Sequence, residues 1–162
     1  PSKVGKTTNS KISNKGIVST KRKRNYKKPN ITESKGLVTS RVGQGYYRQQ
    51  IIEKWGGKCP ITGINVKSIL ISSHIVRWSE SNDKERLDVE NGILLSPLFD
   101  SLFDRHLISF KDTGEILISE KLNKENVDRL GLSDDLKINI SEGMKKYLKI
   151  HRTKFSVKNN ND

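Results

Sequence analysis

Four side chains stand out as able to do chemistry together: His74, Asn91, Asp100 and Asp104. His74 closes an apolar run, Asn91 directly precedes Gly-Ile-Leu-Leu, and the two aspartates follow a Ser96-Pro97 pair. A four-residue spacing on a helix sets two carboxylates on one face. Such a pair can bind one hard cation, Mg²⁺ or Mn²⁺, through oxygen. Without a cation, an arginine or open solvent, the two charges would repel. Hydrolysis of a phosphodiester needs a base for water, a cation for the charge on phosphate and leaving oxygen, and a group that holds the base in one tautomer. His74 suits the base, because a neutral imidazole has an ordinary pKa of about 6.5. Asp100 and Asp104 suit the metal and Asn91 the orienting role. Arg77, three residues beyond the base, is read as a phosphate contact.

The elements that must position these groups are legible as pattern. Tyr47, Ile51 and Trp55 recur every four residues, which predicts an amphipathic helix stopped by Gly56-Gly57. Cys59-Pro60-Ile61-Thr62-Gly63 reads as a turn. Ser68 to Val76 is rich in β-formers and reads as a strand, residues 77–90 as a long polar loop, and Gly92 to Leu95 as a short apolar strand. Ser96 is expected to cap a helix over about residues 97–105, with proline at its first position. Leu107 to Phe110 and Glu115 to Ser119 predict a hairpin turning at Gly114. Residues 120–140 suggest a short helix and an extended piece. Ser141 to His151 reads as a helix with Met144 and Leu148 on one face.

Hydrophobic residues make up only 32% of the 162, and the net charge is +13. Residues 1–40 hold eleven Lys/Arg against one acid, Glu33, and so carry +10 of that charge. Such a segment has too little apolar surface to offset the entropy of ordering, and it is expected to be a flexible basic arm or linker. Its cluster Lys21-Arg22-Lys23-Arg24 is a candidate nucleic-acid contact, with a solvated charge run as the plainer alternative. Gly5-Lys6-Thr7 lacks the upstream glycine and strand of a phosphate-binding loop. The single cysteine, Cys59, can make neither an intramolecular disulfide nor a Cys₄ zinc site. No apolar run approaches the roughly 20 residues that span a bilayer, and no signal peptide is evident. The start at Pro1 leaves room for a larger parent protein with further domains.

The stretches CPITG, LISSHIVRW and NGILLSPLFDSLFDRHLISFKDTGEILIS resemble the HNH, or ββα-metal, endonucleases, and in particular their restriction-type subgroup. GQGYYRQQII and MKKYLKIHRTKF resemble that subgroup's flanking segments, so the likeness runs over roughly residues 41–156. The resemblance implies that His74 is the general base and that Asn91 fixes the loop and orients the base. It places the final family histidine at Asp100 and a further ligand of some members at Asp104. Two departures are visible. Ser73 stands where many members carry an Asp or His ligand, and the paired cysteines of a structural zinc are absent.

The expected fold is α+β: a ββα-metal finger with flanking helices and an extra β-hairpin over residues 41–156, preceded by the basic arm and followed by a polar tail at 157–162. The expected function is hydrolysis of DNA phosphodiesters with one divalent ion, Mg²⁺ or Mn²⁺, in a cytoplasmic, prokaryotic restriction or defence setting. The alternatives are a non-catalytic DNA-binding module and a nuclease effector gated by a larger protein. Each site residue also has a plainer reading. Asn91-Gly92 is a turn signal, Asp100 complements a helix dipole, and Asp104-Arg105 makes a surface ion pair. His106 and His151 are not expected to be the base, and Cys59 is expected to be a small buried apolar group.

Overall fold

The computed structural model describes residues 41–160. The expected basic arm at 1–40, with Lys21, Arg22, Lys23 and Arg24, lies outside the described residues. Helix α1 (Arg41–Lys54) leads to strand β1 (Ile71–His74), a short helix α2 (Asp83–Leu87) and strand β2 (Gly92–Leu95). Helix α3 (Pro97–Asp104), hairpin strands β3 (Ile108–Phe110) and β4 (Ile116–Ile118), helix α4 (Lys124–Arg129) and helix α5 (Glu142–Asn160) follow. The strands form two antiparallel pairs, so the chain is the expected mixed α+β fold with small two-stranded sheets.

In the first pair, Ser73 opposes Ile93 and His74 opposes Gly92. Ile93, Leu94 and Leu95 have no exposed surface. Alternation is lost here because α1 and α3 both pack on this small sheet. The predicted stripe on α1 is its buried face: Tyr47 and Ile51 are in the core, and Trp55 packs at its edge. On α5, Met144, Tyr147, Leu148 and His151 are all buried. Cys59 is buried as expected.

The sheet demands a glycine after Asn91. A Cβ on Gly92 would collide with the Tyr47 hydroxyl and the end of Ile51. At the hairpin, Gly114 has φ +92 and lies against the Ile138 carbonyl, a place that excludes any side chain.

Several elements differ from the sequence reading. The first strand covers only Ile71–His74 of the expected 68–76. Before it the chain turns, with the Ile69 N–H on the Val66 carbonyl at 3.0 Å; after it, Val76 is bonded by a side chain instead of a ladder. The polar stretch 77–90 is largely ordered into α2 and two 3₁₀ turns, Trp78–Glu80 and Val89–Asn91. Its signal is a capping box: Asn82 accepts from Lys84 and Glu85 N–H, and the Glu85 carboxylate accepts from Asn82 N–H. Ser96 stands at the cap of α3 without a side-chain capping bond. Helix α5 runs on through the expected polar tail to Asn160.

Candidate active site

Helix α3 ends in a Schellman motif. The Leu107 N–H reaches the Leu102 carbonyl and the His106 N–H the Phe103 carbonyl, each at 2.9 Å. His106 takes the left-handed position with φ +59, where glycine is usual. Its ring stays because it packs 4.4 Å from His151, which stacks on Phe103 at 3.9 Å. His151 bonds the Phe103 carbonyl through Nε2 at 3.0 Å and the Ser109 hydroxyl through Nδ1 at 2.9 Å. Burial pushes the His151 pKa down to about 3 and the His106 pKa to about 4, with Lys158, Arg77 and Lys154 adding to the latter. Both imidazoles are neutral and buried; His151 is bonded at both nitrogens, whereas Nδ1 of His106, near Arg77 and Asp104, has no hydrogen-bond partner among the described residues.

His74 is different. Its ring is half-buried at the end of β1, stacked on Tyr47 at 4.2 Å and edge-on to Trp78 at 5.5 Å. Nε2 lies 2.9 Å from the main-chain carbonyl of Arg86. A carbonyl only accepts, so the proton sits on Nε2 and the lone pair on Nδ1. Among the described residues Nδ1 has no hydrogen-bond partner. Burial, assisted by the Arg86 charge, pulls the ring's pKa below its ordinary value, against the opposing pull of the Arg86 carbonyl. At neutral pH the ring is an uncharged base with its free nitrogen defined.

Asn91 has no exposed surface. Its Oδ1 accepts from the Val76 N–H at 2.8 Å, and its Nδ2 donates to the Glu85 carbonyl at 3.1 Å, with longer contacts to the Val76 carbonyl and Ser81 hydroxyl. Asn91 does not touch His74. It ties down both ends of the 76–85 segment, next to Arg86, whose carbonyl holds His74. The Tyr47 hydroxyl in turn donates to the Asn91 carbonyl at 2.9 Å. Tyr47 therefore braces the His74 ring with its own ring and the Asn91 main chain with its hydroxyl. Sequence pattern marked Tyr47 only as a core position, and nothing in it pointed to the carbonyl of Arg86.

Residues 59–111 match the family model of the HNH endonucleases. The matched segment carries β1, the capped loop, β2 and α3, which hold all four candidate residues. That match, over residues 59–111, makes a nuclease-type activity the general expectation. No curated protein matches it.

The acidic side of the matched segment lies on α3. Ser73, buried beside this helix, lies near the half-buried carboxyl of Asp100, and its hydroxyl pulls that carboxyl's pKa down. Burial, together with the nearby Asp104 charge, outweighs the hydroxyl and raises the Asp100 pKa. Asp104 is not paired with its neighbour Arg105. Its partner is Arg77, with Nε on Oδ1 at 3.1 Å and Nη2 on Oδ2 at 3.2 Å. Arg77, expected to touch phosphate, thus reaches the same helix face as the aspartates.

Among the described residues no three His, Cys, Asp or Glu side chains converge on one point. A closed tetrahedral zinc site is therefore not built here. A hard ion has looser needs: Mg²⁺ keeps several waters and is commonly held by one or two carboxylates plus phosphate oxygens. Asp100 fits that role. It is a carboxyl partly withdrawn from water, beside a second acid, with no ion-pair partner among the described residues. No described helix is long and apolar enough to cross a membrane.

Proposed function

We propose that the protein is a metal-dependent endonuclease that hydrolyses DNA phosphodiester bonds, of the restriction type and in a restriction or defence role. The observation that carries this reading is the setting of His74. A neutral imidazole is held by a main-chain carbonyl on one nitrogen and left open on the other, which is what a general base for water requires. Nδ1 would take the proton of the attacking water. Tyr47 and Trp78 limit the ring's rotation, and Asn91 secures the loop that supplies the carbonyl.

Asp100 would hold one Mg²⁺ or Mn²⁺ ion; Asp104 lies one turn along the helix, paired with Arg77. When bound, that ion would offset charge developing on the phosphate and the leaving oxygen. The Ser73 hydroxyl, where many relatives place a ligand, would steady the Asp100 carboxyl beside it. The arm's +10 charge would add salt-sensitive affinity for DNA through counterion release.

The test is conversion of supercoiled plasmid with Mg²⁺ or Mn²⁺ and with EDTA. Nicked or linear product that needs the metal is the expected result. DNA binding with no cleavage under any of these conditions would instead establish the non-catalytic module.

A further inference from the structure

Arg77 is held more firmly than an exposed surface arginine needs to be. Its side chain and that of Asp104 are 42% and 55% exposed, and pairs this open add little stability. Yet the guanidinium makes a fork onto both carboxylate oxygens of Asp104 and a third bond, from Nη2 to the Asp104 main-chain carbonyl, at 2.6 Å. The other end of the residue is fixed too, because its neighbour Val76 is bonded at N–H and carbonyl by the buried Asn91. Among the described residues, Nη1 donates to nothing. A planar donor group is thus held at both ends with one edge unused. Lys158 and Lys154 of α5 act with Arg77 on His106, although Lys154 is already ion-paired with Glu80, which also faces Arg77, so the unused donor edge and not the surrounding charge marks Arg77 for an anion.

The same contacts bear on the metal. Each Asp104 oxygen already receives an N–H from Arg77, whereas Asp100 has no ion-pair partner among the described residues and only the neutral Ser73 hydroxyl nearby. We infer that Asp104 is the anchor of Arg77, presenting the free Nη1 edge to a phosphate oxygen of bound nucleic acid, and that the metal is held by Asp100 without it. The inference rests on the nuclease reading for its ligand and narrows that reading's metal site. Arginine suits the task, since its fork can serve a carboxylate on one edge and a phosphate on another. Asp104 acts on the phosphate only through Arg77 and is a positioning residue.

The experiment has two arms, both free of turnover. Mn²⁺ alone is titrated calorimetrically into the full chain, and a DNA duplex is bound in EDTA across a salt series. The variants are Asp100→Asn, Asp104→Asn, Arg77→Gln and the double Arg77→Gln/Asp104→Asn, with melting temperature confirming that each is folded. Asp104→Asn should leave Mn²⁺ affinity within about twofold of wild type, while Asp100→Asn abolishes it. Arg77→Gln and Asp104→Asn should each flatten the log K against log [salt] slope by about 0.9, the share of one phosphate contact. The double variant should flatten it no further.

Loss of Mn²⁺ binding in Asp104→Asn as severe as in Asp100→Asn would overturn the inference. So would an unchanged slope in Asp104→Asn, or effects that simply add in the double variant. A wild-type chain that neither binds Mn²⁺ nor cuts plasmid would sink the nuclease reading itself, while the salt slopes would still report on the Arg77–Asp104 pair.

Discussion

Replacing Asn91 by alanine should unfasten the segment that carries the Arg86 carbonyl. The loss can be worked from its bonds. The Val76 N–H has only Asn91 Oδ1 as partner and would be stranded in the interior. The Val76 carbonyl keeps the Ser81 hydroxyl, and the Glu85 carbonyl keeps the Asp88 N–H, so neither is orphaned. One stranded buried donor costs about 1–3 kcal/mol, and the hole left by the carboxamide adds to it, so a total of about 2–4 kcal/mol is expected. For a folded region of this size that lowers the melting temperature by roughly 10 °C. Asn91→Asp separates shape from bonding. A carboxylate would face the Val76 and Glu85 carbonyls where Nδ2 now donates, so its pKa should rise above the ordinary aspartate value. A raised acid costs stability above the unfolded pKa, so the deficit relative to wild type should shrink as pH falls from 7 towards 4. Thermal melts of the three proteins across pH, with plasmid cleavage in parallel, provide the assay. An Asn91→Ala variant that melts within a degree or two of wild type and cuts at the same rate would refute the chain of argument from Asn91 to His74.

The buried histidines predict acid sensitivity. Folded pKa values of about 4 for His106 and about 3 for His151 lie below the unfolded 6.5, so their contribution is whole above 6.5 and fades as pH falls through the folded values. Each should cost about 1.4 kcal/mol per pH unit in that window. Melting curves between pH 7 and 4.5 should show a decline that His151→Gln makes shallower; parallel curves would contradict the assignment. Gly92→Ala should destabilise by more than about 2 kcal/mol in denaturant titrations, since its Cβ meets Tyr47 and Ile51. Removing residues 1–40 takes away +10 of the charge and should flatten the salt dependence of DNA binding by three to four units if about four cations touch phosphate, while metal-dependent cleavage persists. An unchanged slope would mean that the arm touches no phosphate.

The elements that carry the candidate site were legible because they have strong local signals. The apolar Gly92–Leu95 run, the proline at the first turn of α3 and the four-residue spacing of the aspartates are all short-range patterns. The order within residues 77–90 was missed because its capping box, Asn82 to Glu85, leads into a helix of five residues without an apolar stripe. What sequence could not supply are contacts made across the fold. The hold on His74 comes from a carbonyl, which every residue possesses, and the brace comes from Tyr47 on a distant helix. Arg77 joins Asp104 over 27 residues, whereas sequence adjacency favoured Arg105. The length of α5 was underestimated because its last turns are polar on most sides, yet they continue a helix already anchored by Tyr147, Leu148 and His151.

The central claim is that His74, neutral and open at Nδ1, activates water for cleavage of DNA. The most direct measurement is single-turnover cleavage of plasmid DNA with Mg²⁺ or Mn²⁺ by wild type and His74→Ala side by side, with duplex affinity measured in EDTA. The account predicts that wild type cuts, that the variant loses cleavage by about 100-fold or more, as expected for removal of a general base, and that both bind DNA with nearly equal affinity. A His74→Ala variant that cuts at the wild-type rate would contradict it.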